Sequence, residues 1–313
     1  MITFGVYECS SCHINNINWK NPEVGLASQN WANNLKNKTR DTLMTLQSVI
    51  RWKTLTFKDS PVLFGNAMPK SGSHLVYQIL KGITQIAPFR YVEALPVRMI
   101  TGEGRHRSTE EVLNDLNHLK PGVLGWGYLR SLPEITQFFE GNMMTRSFFV
   151  YRDPRDQLIS SIFYAVDIHL AHAQHDYYSS LTMDERIKTE ILGRDEPGLL
   201  HLPNVRDHYE YYLGWLDCPD VLCLRFEDLR NNQDQSLLSI LDFLEWNGFR
   251  IPIPKAEALK IVKDAVRPEK SATFRKGKTG GWRDHFTDEH KYLFKEVTGD
   301  LLMKLGYEKN NDW

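Results

Sequence analysis

The chain has little of what would place it in several large protein classes. Four cysteines in 313 residues are too few for a disulfide framework, so a reducing compartment, the cytoplasm, is the expected location. No apolar run approaches the ~18 residues that a membrane-spanning helix needs. The opening residues, MITFGVYECSSCHINN, carry neither a basic stretch nor a long apolar core, and no signal peptide is expected. A net charge of -1 argues against an extended nucleic-acid surface, so any basic site has to be local. No internal repeat and no low-complexity linker interrupts the chain. What remains is a composition of 42% hydrophobic and 25% charged residues, ordinary for a globular protein of one large α/β domain or two small ones.

Cys9, Cys12 and His13 have the spacing of a haem-attachment motif, and with Cys218 and Cys223 the pair could make a zinc site. Haem attachment would need export, and zinc would need two distant pairs to meet. A chance pair in a polar arm, residues 1–38, is the preferred reading. Residues 40–57 put Leu43, Leu46, Val49 and Ile50 on one helical stripe. Arg40, Arg51, Lys53 and Lys58 flank it, so contact with an anionic membrane is one reading. Packing on the helix's own domain is the preferred one.

The remaining sequence alternates. Val62-Leu63-Phe64 reads as a buried strand, and Leu75, Val76, Ile79 and Leu80 give the helix after it one apolar face. Further strands are expected at 122–128, 147–151 and 220–226. Helices are expected at 110–119, with Ser108 or Thr109 as cap, and at 132–140, 154–173, 205–216, 233–244, 255–266 and 288–305. Residues 82–120 are otherwise mixed. This pattern predicts an α/β fold, a parallel β-sheet with helices on both faces, with ligands at the carboxyl ends of the strands.

Between the first strand and its helix stands Pro69-Lys70-Ser71-Gly72-Ser73-His74. Free N–H groups at a helix start, a lysine, two hydroxyls and a glycine that lets the backbone come close suit an anionic group. The bland reading is a simple junction with Ser73 as N-cap. Arg152 ends the third strand, and Ser160, eight residues on, shares roughly its face of the next helix, a fork and a hydroxyl suited to a second phosphate. Near the C-terminus, Arg275, Lys276, Lys278 and Arg283 alternate with Gly277, Gly280 and Gly281 as a flexible basic flap. Surface ion pairs around Arg152, Arg155 and Asp156 and a solvated basic loop are the alternatives. The Walker A pattern fails: Pro69 replaces its second glycine, the spacing from Gly65 is one short, and no lone strand-end aspartate offers magnesium a ligand.

These segments together resemble the sulfotransferase family that uses 3′-phosphoadenosine 5′-phosphosulfate (PAPS). PKSGSH is similar to its 5′-phosphosulfate loop, Arg152 and Ser160 to its 3′-phosphate pair, and Arg275-Lys276-Gly277 with Gly280 and Trp282 to its C-terminal RKGxxGxW element. The resemblance covers roughly residues 60–310. It implies a sulfotransferase domain at 59–313 behind an arm and amphipathic helix at 1–58. It also implies PAPS as co-substrate, PAP (the desulfated 3′,5′-bisphosphate) as product, a P-loop type fold and no metal.

Three positions depart from the family pattern. Leu75 stands where a tryptophan usually stacks on adenine, and Phe226 replaces a nearby tyrosine. Tyr128 takes the place of the histidine that deprotonates the acceptor, and a phenol of ordinary pKa ~10 is a poor base. His74, beside the loop, is the rival; histidine as a residue type titrates nearer neutrality. The candidate catalytic residues are therefore Lys70, Tyr128 and His74. The donor-binding set is Lys70, Ser71, Gly72, Ser73, His74, Arg152, Ser160, Phe226, Arg275, Lys276 and Gly277. His169, His172 and His175 suggest an acceptor-pocket wall or a solvated helix face over a metal site. The expected reaction moves a sulfuryl group from PAPS to a hydroxyl of a small molecule, lipid or sugar. No nucleic-acid partner is expected, and a homodimer is compatible with the reading. A P-loop kinase-like phosphotransferase and a catalytically inactive nucleotide-binding protein are the alternatives.

Overall fold

Six consecutive buried residues, Val62–Ala67, form strand β1, and such a run with no polar face belongs to a strand covered on both sides. The computed structural model describes residues 39, 42–91, 93–101, 105–142, 144–197, 201–245, 248–270 and 279–313. The further strands are β2 (Leu95–Val97), β3 (Leu124–Gly127), β4 (Thr145–Tyr151) and β5 (Val221–Arg225). They form one sheet in the order β2-β3-β1-β4-β5, with β1 central. Every adjacent pair is parallel, as expected of the fold class. Strand β2 escapes a pattern reading because it has only three residues and one of them is Pro96.

The first helices are α1 (42–52), α2 (Ser73–Ile83), α3 (Thr109–His118), α4 (Pro133–Phe139), α5 (Pro154–Phe163) and α6 (His175–Ser179). After them come α7 (Met183–Leu192), α8 (Val205–Leu213), α9 (Phe226–Asn231) and α10 (Gln233–Glu245). The last are α11 (Lys255–Ala265), α12 (Asp288–Thr298) and α13 (Leu301–Lys304). Strand side chains alternate between two cores. Leu63, Phe148 and Val150 join Val76, Ile79 and Leu80 of α2 and Leu237 and Leu241 of α10. Phe64, Phe149 and Tyr151 face the other side, with Phe139 of α4, Ile162 of α5, Tyr209 of α8 and Trp215. Each such apolar side chain contributes about 1.5–3 kcal/mol on burial. A Cβ on Gly65 would lie 2.5 Å from Val76 Cγ1, so glycine is what lets α2 lie down on β1.

The pattern reading also misses α6, α7 and α9, and three elements that it names differ from it. Helix α5 stops at Phe163 and widens into a π-turn, Tyr164–Ile168, where the periodicity suggests a helix to 173. The expected helix 288–305 is divided at Gly299, whose φ is 54°. In α1, Met44 and Ser48 are buried, whereas Leu43, Leu46 and Ile50 are exposed, so the expected apolar stripe points outward. The cap of α3 agrees with expectation, with Ser108 and Glu111 forming a capping box. No helix among the described residues is long and apolar enough to cross a membrane.

Candidate functional site

Beyond β1 the chain turns sharply. Met68 N–H donates to Val150 O at 3.0 Å and Ser71 N–H to Met68 O at 3.1 Å. Lys70 (φ 63°) and Gly72 (φ 92°) are both left-handed and bracket Ser71. A lysine in that region is uncommon and costs of order 1–3 kcal/mol, which the surrounding structure has to offset. Gly72, not Ser73, is the N-cap of α2, and as a glycine it offers the helix no side-chain cap. The first N–H groups of α2 therefore face the loop at the positive end of the helix dipole. The Ser71 hydroxyl is buried and meets no hydrogen-bond partner among the described residues. A donor so placed fits a phosphate oxygen, since a buried hydroxyl without an acceptor is otherwise costly.

Strand β4 ends beside this loop because it pairs directly with β1. Arg152, 9% exposed, donates from Nη1 to Lys70 O at 3.1 Å. Its guanidinium lies 4.7 Å from the centroid of the Phe226 ring. That ring, at the head of α9, would stand 2.7 Å from any Cβ at residue 72. Arg152, Phe226 and the loop thus form one wall, built from three strand ends. Tyr209 of α8 donates its hydroxyl to Arg152 O at 2.9 Å. Ser160 lies near the end of α5 and is half-buried. His74, also half-buried, sits in the first turn of α2.

Opposite, Tyr128 follows β3 and donates its hydroxyl to Ser73 Oγ at 2.7 Å. The Ser73 oxygen then accepts, which turns its own hydrogen elsewhere. The Lys70 ammonium lies 3.5 Å from the centroid of the Tyr164 ring. Burial, aided by the charge of Lys70 and by His169 and His175, pushes His172 down to about 4. His169, His172 and His175 follow one another in successive turns, the N–H groups of His172 and His175 donating to carbonyls three residues back at 2.8 Å.

Arg275, Lys276 and Gly277 lie outside the described residues. Their neighbours are anchored: Asp156 accepts from Gly280 N–H at 2.6 Å and from Trp282 N–H at 2.9 Å. Burial raises the Asp156 carboxyl, opposed by the charge of Arg152 and by these two bonds. Arg155 is buried, forks onto Asp153 at 2.7–2.9 Å and reaches Glu308 at 2.7 Å. Its guanidinium lies between the rings of Trp282 and Trp313, at 4.2 and 4.5 Å. The surface ion-pair alternative therefore does not describe Arg155 and Asp156. Asp156 as an anchor, and Glu227, which accepts from Asp153 N–H at 3.2 Å and Tyr307 Oη at 2.7 Å, are absent from the motif reading. An acid in the first turn behind Asp153-Pro154 is the one signal that points to Asp156.

Among the described residues no group of three His, Cys, Asp or Glu side chains is placed to hold a metal ion. Cys9 and Cys12 fall outside them. Burial pushes the Cys218 and Cys223 thiols up to about 11 and about 12, and Cys223 Sγ donates to Trp215 O at 3.2 Å.

A parallel sheet whose central strand runs into a lysine-bearing loop and a helix start defines an α/β fold of the P-loop type. The chain belongs to the sulfotransferase family: the family model for the sulfotransferase domain matches residues 63–306. An amine sulfotransferase of Oryctolagus cuniculus is 24% identical over 193 residues, 55% of this chain and 60% of that protein's length. The chain thus matches less than two thirds of that relative. Retinol dehydratase in complex with androsterone and inactive cofactor PAP has the same fold, with a TM-score of 0.51 at 16% identity, covering 79% of this chain and 83% of that one. A mouse sulfotransferase complexed with PAP aligns over 87% of this chain and 92% of its own, with a TM-score of 0.49 at 17% identity.

Proposed function

We propose that the protein transfers a sulfuryl group from PAPS to a hydroxyl acceptor by in-line displacement. The observation that carries this reading is the loop itself. Two left-handed residues, a helix start at Gly72 and a Ser71 hydroxyl without a partner among the described residues converge where Arg152 braces Lys70. PAPS supplies the activated sulfuryl group and a phosphate leaving group. Lys70 and the loop N–H groups stabilise the charge that grows on the leaving oxygen. Ser71 and Ser73 donate to the 5′ side, and Tyr128 sets the direction of the Ser73 hydrogen. Arg152 and Ser160 take the 3′-phosphate together with Arg275, Lys276 and Gly277, and Phe226 supplies a ring face for adenine. His74 stands by as a proton acceptor in the first turn of α2.

Residues 59–313 form the transferase domain in this reading, and 1–58 an appended arm and helix. The androsterone bound to retinol dehydratase supports a small-molecule acceptor, with lipid and sugar hydroxyls as the wider class. The free thiols of Cys218 and Cys223 suit a cytoplasmic setting. A second reading, a nucleotide-binding protein without turnover, has one observation in its favour: the Tyr128 hydroxyl is engaged with Ser73. The test is PAP binding against ATP by calorimetry, followed by sulfuryl transfer from PAPS to a panel of alcohols with and without magnesium. Tight PAP binding and metal-independent turnover are expected. No preference for PAP over ATP would overturn the reading, and binding without turnover selects the second one.

A further inference from the structure

The π-turn at the end of α5 sets Tyr164 at the loop. The Tyr164 side chain is 3% exposed, and His169 N–H donates to its carbonyl at 2.9 Å. A π-turn inserts one extra residue, swings the following side chains and is frequent at functional sites. Here it brings the ring face of Tyr164 to 3.5 Å from Lys70 Nζ. The rings of His169 and His172 lie 5.5 and 5.9 Å from the Tyr164 ring and 5.8 Å from each other. His172 Nδ1 accepts from Gln174 N–H at 3.1 Å, so the neutral ring carries its hydrogen on Nε2. Gln174 is fixed in turn, its Oε1 accepting from buried Arg194 at 2.8 Å. His172 is held near 4, so it adds no positive charge beside the ammonium at neutral pH.

We propose that Tyr164 is a positioning residue for Lys70, its ring face holding the ammonium at the loop while the adjoining histidine rings wall that position. This rests on the reading of Lys70 as the group that stabilises the leaving phosphate. A lysine has four rotatable carbons and a strongly hydrated head, so an ammonium left to itself samples many positions. Cation–π attraction in a partly dehydrated site narrows that range. The same helix then serves both ends of the donor, with Ser160 and, one turn on, Tyr164. The role belongs to the face of the ring and not to its hydroxyl, which separates two substitutions sharply.

The experiment uses full-length enzyme carrying ¹³C-labelled lysine, with the Lys70 Cε–Hε signal assigned by its loss in Lys70→Arg. A proton set over a ring face resonates upfield. The expected result is an upfield Lys70 signal in the wild type and in Tyr164→Phe, returning to the ordinary lysine position in Tyr164→Leu. Turnover should fall roughly tenfold to thirtyfold in Tyr164→Leu, with the KM for donor within about threefold, while Tyr164→Phe stays within about threefold of wild type in both. The wild-type signal needs no variant, so instability of Tyr164→Leu does not blunt the test. A wild-type Lys70 signal at the ordinary position overturns the proposal, as does an unchanged kcat in a folded Tyr164→Leu enzyme. If the signal is upfield and responds to Tyr164→Leu but no acceptor is ever sulfated, the contact stands and the transferase reading fails.

Discussion

Tyr128 donates its hydroxyl to Ser73 Oγ at 2.7 Å, which joins the end of β3 to the first helical residue after the loop. A phenol engaged as donor to a loop serine directs that serine's hydrogen toward the donor pocket. Tyr128→Phe should therefore raise the KM for donor several-fold and lower kcat by less than about tenfold. A kcat loss above about a hundredfold with KM unchanged would instead make Tyr128 the proton acceptor. Steady-state kinetics at saturating acceptor distinguishes the two.

Gly72 has no tolerance for a side chain. Its φ is 92° and a Cβ would approach Phe226 to 2.7 Å. Gly72→Ala should destabilise the fold by about 1–3 kcal/mol and displace the Phe226 ring from Arg152. Urea unfolding and PAP calorimetry measure both effects. Unchanged values in both would mean that the ring moves aside freely.

Asp156 reaches across 124 residues of sequence to hold Gly280 N–H. An asparagine keeps its shape but offers one acceptor oxygen, leaving the second N–H facing an amide. Asp156→Asn should lower stability by about 1–3 kcal/mol. It should also weaken PAP binding, because the neighbours of Arg275 and Lys276 lose their anchor. PAP affinity equal to wild type would show that the basic segment does not depend on that anchor.

His208 gives a pH dependence with a definite sign. Its Nε2 is buried without a partner among the described residues, and burial, followed by the charge of Arg130, pushes it down to about 4. The unfolded chain, with histidine near 6.5, binds the extra proton first, so stability falls as pH drops from about 6.5 to about 4. His172 contributes in the same direction. The raised carboxyls of Asp156 and Glu227 act oppositely at acid pH, since the folded state holds their protons more tightly. His208→Phe should flatten the decline between pH 6.5 and 4 while changing stability little at pH 8. Chemical denaturation at four pH values reads the slope.

The sheet was legible because its strands are apolar runs and their helices carry periodic faces. Strand β2 was not, since a three-residue strand containing Pro96 has too few side chains to show a period. The π-turn at Tyr164 was equally hidden: one inserted residue leaves composition and local propensity unchanged. Lys70, Gly72 and Arg152 could be named as a set because each ends or follows a strand of one parallel sheet. Asp156 could not be assigned its task, because the backbone groups it binds come from a segment far along the chain. The outward stripe of α1 shows a further limit, for periodicity gives the existence of an apolar face and not the direction in which it points.

The side-chain hydrogen bonds that brace the loop are long-range. Arg152 reaches Lys70 across 82 residues and Tyr128 reaches Ser73 across 55. A partly folded chain that has closed only one of these crossovers has no complete donor site. The nucleotide should then bind the native state alone and act as a folding ligand, raising the melting temperature by mass action. Parallel pairing across such separations also makes assembly slow, so recovery of PAP binding after dilution from denaturant should lag behind the return of helical signal.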